Sequence, residues 1–141
     1  MKHILLLLTC SLIFACTSVN VKPLDSSLEV THIGIKRNPK VIVEDFLPLM
    51  RQKFKEHGIT TEVFDESAPE NCSVIATYTA LQSWDFSTYL SHAEISLTNR
   101  DFKEVASAEY HLIGKGGLSF MKWQSVETKM SPVIDELLVQ Y

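Results

Sequence analysis

The sequence predicts a single α+β domain, in which two helices pack on one face of a mainly antiparallel sheet of about five strands. Two amphipathic helical stripes and several short segments rich in β-branched residues indicate these elements. They follow one another in the order strand, helix, strand, strand, strand, strand, helix. We expect the domain to span residues 28–141, after a signal peptide at 1–15 and a flexible spacer at 16–27.

The first half of the domain contains two predicted strands. Residues 30–36 are rich in β-branched side chains and end at Arg37-Asn38-Pro39, which favours a strand followed by a turn. Residues 59–64 have the same character and predict a second strand, and the acidic, proline-containing segment 65–71 predicts a loop.

A helix is predicted between these two strands. Apolar side chains recur with helical spacing from Val43 to Phe54, and Gly58 stops the pattern. Pro48 requires the helix to begin close to Asp45, because a proline beyond the first turn would lose a backbone hydrogen bond.

Three further strands are predicted in the second half. Residues 73–81 include apolar side chains on both faces of the predicted strand, which is typical of a central strand. Residues 89–98 alternate more cleanly, and Asn99-Arg100-Asp101 turns the chain into residues 105–112 to give an antiparallel hairpin.

The C-terminal segment predicts an amphipathic helix. Ser131-Pro132 either kinks that helix or caps a separate final segment. The apolar positions recur at intervals of three and four residues: Val126, Met130, Val133, Ile134, Leu137, Leu138 and Tyr141.

The N-terminal segment 1–15 has the features of an export signal. Its apolar run is far shorter than the roughly 20 residues that a membrane-spanning helix needs. The residues before Cys16 resemble a bacterial lipobox, since Ile13 and Ala15 fit its aliphatic and small positions, although Phe14 is bulky. An ordinary secretory signal with an incidental cysteine is the alternative interpretation.

The lipobox resemblance implies that Cys16 carries acyl chains and tethers the mature protein to a membrane. Thr17 follows the cysteine where retention in the inner membrane would favour Asp. We therefore expect an outer-membrane lipoprotein that faces the periplasm.

Charge and cysteine content restrict the possible partners. The net charge of −4 at pH 7 argues against nucleic acid as a partner. Once Cys16 is acylated, Cys72 is the only thiol in the predicted domain, so we expect no intramolecular disulfide there. We interpret Cys72 as a small buried apolar residue.

No catalytic or metal-binding motif stands out in the sequence. His92-Ala93-Glu94 resembles the His-x-Glu of zinc deaminases, but the Pro-Cys-x-x-Cys partner is missing. On a strand His92 and Glu94 share one face, which an exposed polar face explains. Residues 114–119 lack the residue order of a phosphate-binding loop. We therefore predict a protein without catalytic residues, metal or cofactor.

Aromatic residues provide a candidate binding surface. Trp84, Asp85 and Phe86 lie in a stretch where the strand pattern breaks, and Phe120 and Trp123 follow the glycine-rich segment. Two loops that carry such rings could form a recognition surface. The alternative is that these rings cap the core.

Several segments resemble those of a family of small, largely uncharacterised proteobacterial envelope lipoproteins. The resemblance covers nearly the whole mature domain, implies an envelope lipoprotein with no assigned reaction, and supplies no catalytic residues. The segments are Thr77-Tyr78-Thr79-Ala80, Ser83-Trp84-Asp85-Phe86, Ala93-Glu94, Gly116-Gly117-Leu118-Ser119, Lys122-Trp123 and Asp135-Glu136-Leu137-Leu138.

These observations predict a non-enzymatic binding or accessory module of the bacterial envelope, with another envelope protein as its partner. An immunity or inhibitor lipoprotein that blocks a toxin or hydrolase is an alternative, and a hydrolase is the least favoured.

Overall fold

The computed structural model describes residues 17–141, which form a mixed six-stranded sheet and two α-helices. The strands are β1 Thr17–Lys22, β2 His32–Lys36, β3 Thr60–Phe64, β4 Val74–Asp85, β5 Ser87–Asn99 and β6 Glu104–Leu112. The α-helices are α1 Phe46–Glu56 and α2 Val126–Leu137. Short 3-10 helices cover Ser26–Leu28, Ile113–Gly116 and Phe120–Trp123. The predicted α+β class is confirmed.

The sheet differs from the prediction in strand number and direction. Its order is β1-β6-β5-β4-β2-β3, and β2 pairs in parallel with both β3 and β4, while the remaining pairs are antiparallel. It is therefore a mixed sheet of six strands. The physical reason is that α1 returns the chain to the end at which β2 began, so that β3 runs in the same direction as β2.

Strand β1 corrects the expectation of a flexible spacer at 16–27. Residues 17–22 pair with β6 along their whole length, from Thr17 opposite Leu112 to Lys22 opposite Ser107. Val19 and Val21 give this segment an alternation that suits an edge strand. The rest of the predicted spacer includes Leu24, which is fully buried and whose amide donates to the Leu137 carbonyl at 2.8 Å.

Helix α1 begins close to Asp45, as the position of Pro48 predicts. Asp45 is the N-cap residue, so Pro48 lies in the first turn and its missing amide removes no intrahelical hydrogen bond. The helix ends at Glu56, and Gly58 adopts a φ of 77°, which favours glycine.

Helix α2 is one continuous helix with Pro132 inside it, so of the two alternatives for Ser131-Pro132 the separate final segment does not form. Ser125 caps its N-terminus by accepting a hydrogen bond from the Thr128 amide at 3.1 Å. Tyr141 lies beyond the helix. Its hydroxyl donates to the Asp25 carbonyl at 3.0 Å, which ties the C-terminus to the segment that follows β1.

The core lies on one face of the sheet. Alternate residues of the strands point toward α1 and α2 and are buried with the apolar stripes of both helices. The other face, called the open face below, is largely polar. The largest fully buried side chains are Phe46, Phe54, Leu24, Ile33, Ile35, Met50, Ile59, Ile95, Leu97, Met130, Ile134 and Leu137.

We expect Leu137→Ala to lower the free energy of unfolding by about 2–5 kcal/mol, because its side chain is fully buried in α2 and the substitution leaves a cavity. Val139→Ala is the matched control, since Val139 is 62% exposed and the change should stay within about 0.5 kcal/mol. Urea denaturation of both variants measures the difference. Equal stabilities would show that α2 does not contribute to the core.

Candidate functional site

The β4–β5 hairpin extends past the end of the neighbouring strand. The last pair between β5 and β6 joins His92 to His111, but β4 and β5 continue to pair as far as Asp85 and Ser87. A register shift between Leu81 and Gln82 marks a bulge at the start of this extension. The bulge breaks the alternation of side chains, which explains why the sequence pattern indicates a loop rather than a strand there.

Phe86 forms the tip of the hairpin in an unfavourable backbone conformation. Its φ is 60°, in the left-handed region that a bulky residue rarely adopts, and its side chain is 87% exposed. A conformation of this kind persists only where the surrounding structure enforces it. Here the two-strand ladder that ends at Asp85 and Ser87 supports it.

The chain between β6 and α2 folds against this hairpin. Lys122 is 4% exposed, and its Nζ donates to Asp85 Oδ2 at 2.5 Å and to the Gly117 carbonyl at 3.0 Å. The Trp123 indole Nε1 donates to the Asp85 carbonyl at 3.0 Å. Lys122 Nζ also lies 4.6 Å from the centre of the Trp123 ring. The two predicted loops therefore meet, and Asp85 joins them.

A second buried lysine also contributes to this junction. Lys129 of α2 is 7% exposed, and its Nζ donates to the carbonyls of Leu90 and Lys122. Burial lowers the pKa of Lys129 to about 8. The buried amine thus connects α2, β5 and the 3-10 helix Phe120–Trp123.

The predicted binding surface divides into two groups. Trp84, Phe86 and Phe120 are 74%, 87% and 83% exposed. Trp123 is only partly exposed and packs against the core, and the Asp85 carboxylate is held by Lys122. Three of the five predicted residues are therefore available for contact, and two build the support beneath them.

Sequence reasoning missed two exposed apolar side chains beside this surface. Leu118 is 99% exposed and Met121 is 62% exposed. The signal in the sequence was the presence of two further large apolar residues on either side of Ser119-Phe120, directly after the glycine-rich stretch. We call the whole exposed set the apolar tip, which consists of Trp84, Phe86, Leu118, Phe120 and Met121.

The N-terminal end of β1 lies at the same end of the sheet. Thr17 pairs with Leu112, the last residue of β6, and the hairpin projects beyond that position. Cys16, the predicted lipid attachment site, lies outside the described residues, as does the predicted signal peptide. Thr17, which follows Cys16 in the sequence, therefore lies at the end of the sheet that carries the apolar tip.

The open face carries the histidines of the sheet. His92 and Glu94 share it, as predicted, and His92 Nε2 lies 2.8 Å from Glu94 Oε1. Across the β5–β6 ladder, His111 Nδ1 lies 3.3 Å from His92 Nδ1, and Glu109 is paired with Glu94.

Within residues 17–141, two groups on the open face have the residue types and spacing to hold a metal ion, although the sequence predicted none. One group contains His92, Glu94 and Glu109, and the other contains His32, Glu62 and Cys72.

No protein-family model matches the sequence, and no curated protein matches it. A variant PelC dodecamer from Paraburkholderia phytofirmans matches the structure with a TM-score of 0.57 at 9% sequence identity, over 86% of this chain and 94% of that chain. A second PelC dodecamer from this organism gives a TM-score of 0.56 at 8% identity, with the same coverage of both chains. At such identities the similarity concerns the fold alone.

A minor lipoprotein from Acinetobacter baumannii also matches, with a TM-score of 0.35 at 12% identity, over 79% of this chain and 89% of that chain. This similarity is too low to support an argument about function. None of the helices within residues 17–141 is long and apolar enough to cross a membrane.

We expect Lys129 to make stability depend on pH. Its pKa is about 8 in the folded protein and near 10.5 in the unfolded chain, so the unfolded chain binds more protons between these values. Raising the pH from 8 to 10.5 should therefore stabilise the wild type relative to Lys129→Met, by roughly 1–3 kcal/mol. Urea denaturation of both proteins across this range measures the difference. A constant difference would contradict the lowered pKa.

Proposed function

We propose that this protein is a non-enzymatic lipoprotein of the bacterial outer membrane, held at the bilayer by two contacts. The first is the lipid predicted on Cys16, and the second is the apolar tip. In this arrangement the protein faces the periplasm and acts as a binding or accessory module for another envelope protein.

The position of the apolar tip is the observation that carries this proposal. Its five large apolar side chains are each more than half exposed, and such clusters on soluble domains mark interaction sites. Tryptophan and phenylalanine are side chains that enter the membrane interface. Because Thr17 lies at the same end of the sheet, a lipid attached to the preceding residue would bring the tip to the bilayer.

The construction of the tip supports binding by a preformed surface. Trp84 and Phe86 stand on a paired hairpin, and the hydrogen bonds of Lys122 and Trp123 to Asp85 fix the segment that carries Phe120. A surface that is already ordered loses little conformational entropy when it binds.

The open face lies on the side of the sheet opposite the core, and it is separate from the apolar tip. Its polar groups suit a partner protein, which would contact the domain while the tip is engaged with lipid. The acidic net charge of the chain favours a partner other than nucleic acid.

We expect Cys16→Ser to remove the acylation site and release the protein from washed membranes into the periplasmic fraction. The apolar tip alone would bind reversibly, because it buries far less apolar surface than acyl chains do. Fractionation and immunoblotting measure the distribution, with Cys72→Ser as the matched cysteine control that should stay in the membrane. Retention of Cys16→Ser in washed membranes would contradict the lipid anchor.

We expect the apolar tip to bind lipid vesicles weakly when the acyl anchor is absent. In the Cys16→Ser protein, the combined changes Trp84→Ser, Phe86→Ser and Phe120→Ser should reduce vesicle co-sedimentation at least about tenfold, because each buried ring contributes up to about 2–3 kcal/mol.

Phe102→Ser is the matched control for the tip variant. Phe102 is also a phenylalanine with a φ of 60° and 93% exposure, but it lies at the β5–β6 turn, at the opposite end of the sheet. Equal vesicle binding by the tip variant and the Phe102 variant would exclude the tip as a membrane contact.

A further inference from the structure

Three potential metal ligands converge on the open face, near the parallel part of the sheet. His32 is the first residue of β2, and Glu62 lies in the middle of β3. Cys72 lies two residues before the start of β4. Their ligand atoms, one from each residue, all lie within 4.8 Å of one another. They are far apart in sequence, and only the parallel pairing of β2 with β3 and β4 brings them together.

The hydrogen bonds of His32 leave its Nε2 as a free ligand atom. The Thr60 hydroxyl donates to the Thr31 carbonyl at 3.1 Å, so its oxygen accepts from His32 Nδ1–H at 2.7 Å. This arrangement places the proton on Nδ1 and the lone pair on Nε2. A hydrogen bond that fixes the tautomer in this way is the usual outer support of a metal-binding histidine.

His32 Nε2 is buried and has no hydrogen-bond partner. An unsatisfied buried polar atom is costly, and an ion is one of the groups that can satisfy it. The nearest acidic atom is Glu62 Oε2, at 3.6 Å. A nitrogen and an oxygen that both bind one tetrahedral Zn²⁺ lie about 3.3–3.5 Å apart, so the observed separation needs little adjustment.

Gly34 provides the space in which the thiol sits. A Cβ atom at this position would lie 3.2 Å from Cys72 Sγ and 3.0 Å from Ile75 Cδ1. A side chain there would therefore crowd the sulfur and require it to shift by a few tenths of an ångström.

We propose that His32, Glu62 and Cys72 bind a divalent transition-metal ion, for which Zn²⁺ is the best match. Imidazole, thiolate and carboxylate are the ligands that zinc takes in proteins, and a thiolate disfavours Ca²⁺ and Mg²⁺. Binding forms the sulfur–metal bond and releases the thiol proton to solvent. Three protein ligands leave the fourth position to water.

The same residue types also occur in Cys–His nucleophile pairs, but the structure does not suit that role. Cys72 is fully buried, so a substrate has no access to its sulfur. A metal ion can reach the group from the side of Glu62, whose side chain is 52% exposed.

A bound ion would join β2, β3 and the segment before β4. Zinc should therefore raise the melting temperature, because the folded protein binds the ion with the three ligands assembled and the unfolded chain does not.

Cobalt titration of the full protein, purified in detergent, tests the site directly. Co²⁺ bound to a thiolate gives a near-ultraviolet charge-transfer band, and Cys72 is the one thiol that remains after acylation of Cys16 and removal of the signal segment. We expect this band to saturate at one equivalent of Co²⁺ and to disappear when Zn²⁺ is added.

Variants assign the ligands. Cys72→Ser should abolish the band, and His32→Gln and Glu62→Gln should weaken binding at least about tenfold. His92→Gln is the matched control, because His92 belongs to the other cluster on the open face, and it should leave the band unchanged. Circular dichroism confirms that each variant is folded, and Glu62→Gln changes an exposed side chain that the core does not need.

Two results would overturn the proposal. One is the absence of a thiolate band in the folded wild-type protein, including the case in which Co²⁺ binds only through His92. The other is a band of unchanged affinity in Glu62→Gln and His32→Gln, because the thiolate would then bind cobalt without the proposed partners.

Discussion

Burial on one face of the sheet is the constraint on which the rest of this structure depends. Both helices direct their apolar stripes to the same side, and alternate residues of the strands meet them there. The strands therefore need only one apolar set of side chains, and the other set can be polar. This one-sided core leaves an open face on which histidines and carboxylates collect, and it places the sheet ends where the hairpin and the N-terminal strand can project.

The hairpin extension needs support from outside the sheet. Two strands without a third neighbour are only marginally stable in water. Here the segment after β6 folds back on the extension, and Lys122 and Lys129 fill the junction with charged groups that are almost completely buried. Each amine donates to carbonyl or carboxylate oxygens, so neither buried nitrogen is without a hydrogen-bond partner. The apolar side chains of the tip remain exposed beside this polar junction.

The end of the sheet that carries the apolar tip and the parallel part of the sheet therefore carry different kinds of side chains. The end with Thr17 carries the apolar tip, while the parallel half carries the cluster of His32, Glu62 and Cys72 on the open face. A membrane contact and a metal site would occupy separate regions, so either can be tested without disturbing the other. The fold itself, shared with PelC chains at 9% and 8% identity, does not decide between functions.

Local patterns in the sequence determined most of the elements of this protein. The helical stripe and Pro48 located the start of α1, and alternation located the strands of the hairpin at 89–112, because the period of burial is set within each element. The aromatic residues Trp84, Phe86 and Phe120 were likewise visible as a candidate surface. Only the tertiary structure decided that residues 17–22 form an edge strand, that β2 and β3 run parallel, and that Trp123 supports the tip instead of belonging to it. These outcomes depend on pairing between segments distant in the chain, and no local period encodes which strand, or which buried lysine, a segment will meet.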